Sequence, residues 1–146
     1  MQSGQQFKID QPGLIKAAPI ALIVAAIAGL VYIIIGLWSI AQLLGWVVPI
    51  FAGVWYVMTV RKSTNALPAQ MDGLVNGAIA GAAAGLVNGI VALIATSIAL
   101  SGYGPFAAAL GGFGIGGLIM AIIFGAVLGA VGAFGYAFLV AQGTVK

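Results

Sequence analysis

Four long apolar blocks, separated by short polar segments, make up most of this chain. They run from about residue 17 to 38, 43 to 60, 73 to 99 and 115 to 141. A helix needs about 20 apolar residues to cross the hydrocarbon core of a membrane. Because lipid offers no hydrogen-bond partners, a spanning segment has to satisfy its own backbone. The pattern therefore predicts an all-α integral membrane protein, a four-transmembrane-helix bundle that forms a single domain over residues 17–146.

A mostly polar segment, residues 1–16, precedes the first block. Pro12 and Gly13 are predicted to interrupt any helix there, and we expect the segment to lie along the membrane surface. The first block is longer than the apolar core of a secretory signal, which has about 7 to 15 residues. We therefore predict that it is retained as a transmembrane helix.

The basic residues predict the orientation of the bundle. Lys8 and Lys16 precede the first span, Arg61 and Lys62 separate the second span from the third, and Lys146 follows the fourth. A chain with four spans has both termini on one side, and all of these residues then fall on that side. Lys and Arg are enriched in cytoplasmic segments close to membrane spans. Both termini are therefore predicted to be cytoplasmic.

Span three carries a glycine at every fourth position, which makes a ladder along one side of a helix. Its members are Gly73, Gly77, Gly81, Gly85 and Gly89. Glycine costs about 1 kcal/mol relative to alanine in a water-exposed helix. In membranes, small residues let two helix backbones approach closely. The ladder therefore predicts a close helix–helix contact.

Span four carries a matching stripe of small residues, which consists of Gly117, Ala121, Gly125, Gly129 and Ala133. Two such stripes can meet face to face, so we predict that spans three and four form the centre of the bundle. A stripe with four-residue spacing drifts by about 40° per step around the helix. We therefore expect another helix to contact the part of the ladder that span four leaves uncovered.

Two asparagines in span three are candidate polar contacts. Each lies in the pentapeptide Gly-Leu-Val-Asn-Gly, which occurs twice. The spacing places Asn76 and Asn88 about 120° apart around the helix. We expect Asn76 beside Asp72 at the cytoplasmic boundary and Asn88 near the middle of the membrane, where an unpaired amide is costly. Both are predicted to make interhelical hydrogen bonds, and for Asn88 contact with a solute or ion is the alternative.

Composition narrows the chemistry that is available to this chain. Charged residues make up 5% of it, and Cys and His are absent. Thiolate clusters, disulfides and imidazole metal ligands are therefore excluded. No charged residue lies between Asp72 and Lys146, although proton-coupled transport normally uses an ionisable group within the bilayer. The basic residues form no contiguous face for nucleic acid. We predict no catalytic residue, metal, cofactor or nucleic-acid partner.

The leading functional hypothesis is a small, non-catalytic structural or accessory subunit of a membrane assembly, built by glycine-ladder packing. The expected partners are the lipid bilayer and other membrane protein subunits or copies of the chain itself. One alternative is a channel or carrier for a small uncharged solute or ion, lined by Asn76, Asn88 and the glycine faces. The other is a membrane-shaping or envelope structural protein.

Overall fold

Four long helices account for most of the protein in a computed structural model that describes residues 8–34, 37–103 and 115–143. In chain order they are α1 (Gln11–Leu30), α2 (Trp38–Thr64), α3 (Gln70–Ala99) and α4 (Ile115–Ala141). Short 3-10 turns follow α1, at Val31–Ile33, and α3, at Ser101–Tyr103. No strand occurs within the described ranges, and all four helices are long and apolar enough to cross a membrane. The prediction of an all-helical chain with four such segments is confirmed.

The helices alternate in direction, which places the charged residues of the described chain at one end of the bundle. Gly13, near the start of α1, lies against Val60, near the end of α2, whereas Gly29, near the end of α1, lies against Val91 of α3. Lys8, Lys16, Arg61, Lys62, Asp10 and Asp72 therefore share what we call the charged end. The opposite end, which has no charged side chain among the described residues, is the uncharged end.

Helix α1 begins at Gln11, several residues before the expected start of the first span. Pro12 and Gly13 do not interrupt it and instead form its first turn, because a proline there gives up only a backbone N–H that has no partner within the helix. Oδ1 of Asp10 accepts a hydrogen bond of 3.1 Å from the Gly13 N–H and caps the helix. The polar lead-in that the structure describes is therefore only residues 8–10.

The connection between α1 and α2 also lies earlier than expected. Helix α1 ends at Leu30, Ile34 has an extended backbone, and α2 begins at Trp38, so Ser39 and Gln42 are helical. The apolar residues continue through the connection, so hydropathy does not mark it. Ser39 is instead a suitable residue for the first turn of a helix, where short polar side chains are favoured.

Helices α2 and α3 occupy the centre of the bundle. Each contacts all three other helices, whereas α1 and α4 pack mainly on α2 and α3 from opposite sides. The prediction that spans three and four form the centre is correct for α3 but wrong for α4. Gly53 of α2 and Gly132 of α4 allow these two helices to approach each other closely. Both glycines lie outside the two stripes of small residues.

Small side chains form the core, whereas large apolar side chains cover the outside. One buried cluster joins α1, α2 and α3 through Ala21, Ala25, Ala28, Val48, Ala52 and Ala84. A second, nearer the charged end, contains Ala17, Tyr56, Val57, Val60 and Ala133. On the outer surface, Ile15, Leu43 and Trp46 are 72%, 67% and 68% exposed. An exterior this apolar is suited to lipid rather than to water.

Candidate functional site

The glycine ladder of α3 is in backbone contact with α4. A Cβ added to Gly81 would lie 2.6 Å from the Cα of Gly129, and one added to Gly129 would lie 2.6 Å from the Cα of Gly81. A Cβ on Gly85 would lie 3.3 Å from the Cα of Gly125. Gly77 continues the contact towards the charged end, against Gly129 and Ala133. The structure thus brings together the central members of the two predicted stripes.

The two ends of the ladder differ from its middle. A Cβ on Gly89 would meet side chains rather than backbone, 3.1 Å from Leu118 Cδ1 and 3.3 Å from Ala121 Cβ. A Cβ on Gly73 would lie in ordinary contact, 3.5 Å from Cγ of Pro68 in the connection before α3. Among the described residues of this chain, the atoms nearest to Gly77, Gly81, Gly85 and Gly89 come from α4 and the atom nearest to Gly73 comes from Pro68, so the expected contact with α1 is not found. A contact of the ladder with a helix of a second chain stays a prediction. From Gly77 to Gly89 the ladder turns by only about 120°, which α4 can follow because its own stripe drifts in the same way.

Outside the ladder, a Cβ on Gly29 of α1 would lie 2.9 Å from the backbone oxygen of Asn88, and two further glycines also have neighbouring backbone where a side chain would lie. A Cβ on Gly53 of α2 would be 3.0 Å from the backbone N of Ala133, and one on Gly132 of α4 would be 3.0 Å from the Cα of Ile50. Sequence reasoning missed both residues because neither belongs to a repeated spacing. The only signal was the presence of glycine within a helical pattern, where it lowers helix propensity and calls for a packing reason.

Asn76 is fully buried, and its side chain makes three hydrogen bonds, all of them to backbone groups. Its Nδ2 donates to the carbonyl oxygen of Lys8 at 2.9 Å and to that of Asp72 at 2.7 Å. Its Oδ1 accepts from the backbone N–H of Asp10 at 2.9 Å. Sequence reasoning expected a bond between helices, but the partners that lie outside α3 are in the segment before α1. Asn76 therefore fastens the N-terminal segment to α3.

Two more side chains complete this attachment, which we call the N-terminal clasp and define as Lys8, Asp10, Tyr56, Asp72 and Asn76. Oδ1 of Asp72 accepts from the backbone N–H of Lys8 at 2.8 Å. The Tyr56 hydroxyl on α2 donates to Oδ2 of Asp10 at 3.1 Å. The clasp joins the start of α1 to both central helices. Its groups have partners within the chain, so it accounts for helix packing rather than for chemistry.

Asn88 has the opposite environment from Asn76. It is 7% exposed, and its Oδ1 is buried without a hydrogen-bond partner. Its Nδ2 faces α2 at Gly45, where an added Cβ would lie 3.5 Å away. A buried polar group without a partner costs about 1 to 3 kcal/mol. The predicted interhelical hydrogen bond of Asn88 is therefore not made in this structure, and the amide is left for some other partner.

A cavity of about 540 Å³ adjoins Asn88 in the half of the bundle nearer the uncharged end. The polar groups on its wall are uncharged and come from Tyr32, Gln42, Trp46, Asn88 and Thr96. The rest of the wall is apolar and comes from α3 and α4, with Leu93, Leu118, Met120, Phe124 and Leu128 as its larger members. Gly117 also lines the cavity. Small-molecule sites between helices are typically apolar with a few placed polar groups and have volumes of about 300 to 1,000 Å³.

The glycine contact closes this cavity on its inner side. Gly85 and Leu128 are the wall residues nearest the charged end on α3 and α4. Beyond them, Gly81 lies against Gly125 and Gly129, which leaves no space for a side chain. The cluster of small residues around Ala25, Ala52 and Ala84 fills the corresponding region towards α1. The arrangement is a chamber next to Asn88, not a passage that follows the α3–α4 interface to the charged end.

Comparison of the chain with protein-family models, curated proteins and solved structures finds no match.

Proposed function

We propose that this chain is a non-catalytic, multi-pass membrane protein that binds, and as a carrier transfers, a small uncharged molecule in the chamber beside Asn88. The observation that carries the proposal is the buried Asn88 amide, which lacks a hydrogen-bond partner and lines a cavity of about 540 Å³. A bound molecule that hydrogen-bonds to this amide would remove the free-energy cost of burying the amide without a partner.

The wall of the chamber specifies the chemistry of the occupant. Its polar groups are amides, hydroxyls and an indole, and no charged side chain contributes. A charged ligand would have to leave water without a counter-ion, which is strongly unfavourable in an apolar site. An alcohol or amide offers both a donor and an acceptor to Asn88 and Gln42. We therefore propose an uncharged molecule with an apolar body and a hydroxyl or amide head.

The proposal includes an orientation in the membrane. With the termini cytoplasmic, as the basic residues favour, the charged end faces the cytoplasm and the chamber lies in the outer half of the bilayer. The contact between Gly81 and Gly129 then separates the chamber from the cytoplasmic side. Transfer across the membrane would then require α3 and α4 to separate below Asn88.

Trp46 lines the chamber and is also 68% exposed on the outer surface, so the part of its fluorescence quenching that saturates tests occupancy of the chamber. The protein would be reconstituted into liposomes with Trp38 and Trp55 replaced by Phe, and titrated with a long-chain bromoalcohol, because bromine quenches indole emission. We expect saturable quenching, and we expect Asn88→Leu to raise the dissociation constant of the bromoalcohol at least about tenfold. This change corresponds to the loss of one hydrogen bond worth about 1.4 kcal/mol. The matching bromo fatty acid, charged at neutral pH, should give no saturable component. Equal saturable quenching in the Asn88→Leu variant would refute the proposal.

Assembly with other membrane proteins is our second candidate function, and Gly135 favours it. A Cβ on Gly135 of α4 would meet nothing within 4 Å, so no described residue of this chain uses the space that this glycine leaves. A helix of a partner could approach α4 closely at this point. Native mass spectrometry in mild detergent should then show a complex that Gly135→Leu disrupts and Phe138→Leu does not. A monomer under all conditions would count against assembly.

A further inference from the structure

A second, independent cavity lies at the charged end, between α1 and α2. It is a shallow groove of about 300 Å³ lined by Lys16, Trp55, Met58, Thr59, Lys62 and Ser63. We call it the basic groove. It shares no lining residue with the chamber beside Asn88. The two lysines come from opposite ends of antiparallel helices, so the fold, and not local sequence, brings their charges to one site.

The basic groove has hydrogen-bond donors that the chain does not use. Trp55 Nε1 is buried without a partner. The Trp55 ring is held in place by stacking on Phe51, with centroids 5.9 Å apart, and by the Lys62 ammonium 5.9 Å from its centroid. Thr59 and Ser63 direct their hydroxyl protons to carbonyl oxygens of α2. The groove therefore presents two ammonium groups and no carboxylate.

The acidic side chains of the chain supply no negative charge to the basic groove, because both of them belong to the N-terminal clasp. Asp10 accepts from the Gly13 N–H and the Tyr56 hydroxyl, and Asp72 accepts from the Lys8 N–H. The sequence contains only these two carboxylate side chains. Neither carboxylate lines the basic groove, so an anion that enters it would meet Lys16 and Lys62 without a fixed negative charge beside them.

Apolar side chains lead from each lysine towards the middle of the bundle. On α1, Ile20 and Ile23 follow Lys16 on the same helix face and are 45% and 58% exposed. On α2, Met58 and Trp55 precede Lys62 on one face at the same kind of spacing. A ligand with negative charge at the groove and hydrocarbon below it would contact both features. Inorganic phosphate would use only the first.

We propose that the basic groove binds the phosphate of an anionic phospholipid, with Lys16 and Lys62 as its ligands and the acyl chains lying along α1 and α2. Anionic lipids attract basic residues next to membrane spans, and each Lys or Arg near the surface contributes about 1 kcal/mol. Replacing both lysines should therefore weaken binding about 30-fold.

Native mass spectrometry of the full chain in mild detergent tests this proposal, with phosphatidylglycerol and phosphatidylcholine as probes. The double variant Lys16→Gln/Lys62→Gln should have a dissociation constant for phosphatidylglycerol about 30-fold higher than that of the unchanged protein. The matched control Lys8→Gln/Arg61→Gln removes the same charge at the same end from residues that do not line the groove, and should change binding less than about threefold.

Three results would overturn the proposal. Equal loss in the control variant would mean that the lysines act only through net charge. Equal binding of phosphatidylcholine would mean that the groove does not select negative charge. Full displacement of phosphatidylglycerol by inorganic phosphate would identify a free-phosphate site instead of a lipid site. None of these results bears on the chamber beside Asn88, which the bromoalcohol titration tests separately.

Discussion

Gly81 of α3 and Gly129 of α4 face each other so closely that a Cβ on either would lie 2.6 Å from the Cα of the other. This pair marks the point where two helices meet through backbone alone. It also forms the floor of the chamber beside Asn88, because α3 and α4 have no gap at this level. The same contact therefore determines helix packing and the depth to which a ligand can enter.

Gly81→Ala is expected to destabilise the bundle by about 1 to 3 kcal/mol, because one added methyl group has to push two backbones apart. Unfolding in mixed micelles of mild detergent and dodecyl sulfate would measure the change. Gly73→Ala is the matched control within the same ladder, because its Cβ would have only an ordinary contact with Pro68. We expect it to be neutral or to stabilise by up to about 1 kcal/mol through better helix propensity. Equal destabilisation by both changes would contradict the structure.

Asn76→Leu and Asn88→Leu are expected to have opposite effects on stability, although both replace the same residue in the same pentapeptide. Loss of the Asn76 amide leaves the backbone groups of Lys8, Asp10 and Asp72 without their partner, at a cost of about 1 to 3 kcal/mol. Asn88→Leu removes an amide whose oxygen is already unpaired, so it should be neutral or stabilising. The same unfolding titration would measure both variants. A large loss of stability in Asn88→Leu would show that the amide has a partner in the folded chain.

Tyr56→Phe is expected to loosen the N-terminal clasp without disrupting the bundle. The change removes the donor to Asp10 Oδ2 and should cost about 0.5 to 1.5 kcal/mol. Amide hydrogen exchange would detect this locally, as faster exchange at the backbone N–H groups of Lys8 and Asp10, both of which donate to α3. Tyr136→Phe, which removes a hydroxyl outside the clasp, should leave these two amides unchanged. Unchanged exchange in Tyr56→Phe would show that the hydroxyl does not hold the segment.

In the proposed orientation, Lys146 lies in the cytoplasm. A reporter enzyme that works only in the cytoplasm should therefore be active when it is fused after Lys146, and a reporter that works only outside should be inactive there. A reporter inserted between residues 104 and 114 should behave in the opposite way. Paired fusions that report cytoplasmic and external locations at each site would measure this. Replacing Arg61 and Lys62 with Gln should reduce the bias, because these residues lie next to two spans and contribute to retention of that segment. External activity of the Lys146 fusion would reverse the orientation and place the chamber in the inner half of the bilayer.

The four long helices of the described chain could be predicted from hydropathy because each spanning helix satisfies its backbone within its own residues. That constraint is local, so four apolar blocks correspond to four helices. The ends of α1 were not predicted, because they depend on individual side-chain and backbone contacts that hydropathy does not show. Asp10 caps the helix seven residues before the first apolar block begins, and the connection after Leu30 is as apolar as the helix that it follows.

The candidate site could be predicted only in part. The ladder spacing indicated that α3 makes a close contact, and Asn88 was one of two asparagines that could face a solute. The chamber itself is formed by α2, α3 and α4 together, and no single segment shows it. The basic groove likewise joins Lys16 and Lys62, which the charge pattern placed on one side of the membrane but not next to each other.

The ladder and the repeated pentapeptide are visible in the sequence, but the residues that contact them are not. By itself the sequence determined that α3 is a membrane-length helix with one glycine-lined side, because helical periodicity depends only on local geometry. Only the tertiary structure decided that α4 covers Gly77 to Gly89 and that α2 shares the centre of the bundle. It also decided that Asn76 is paired and Asn88 is not. The reason is that the partners outside α3 that hold Asn76 come from residues 66 and 68 positions away, whereas the helices around Asn88 separate and leave a chamber.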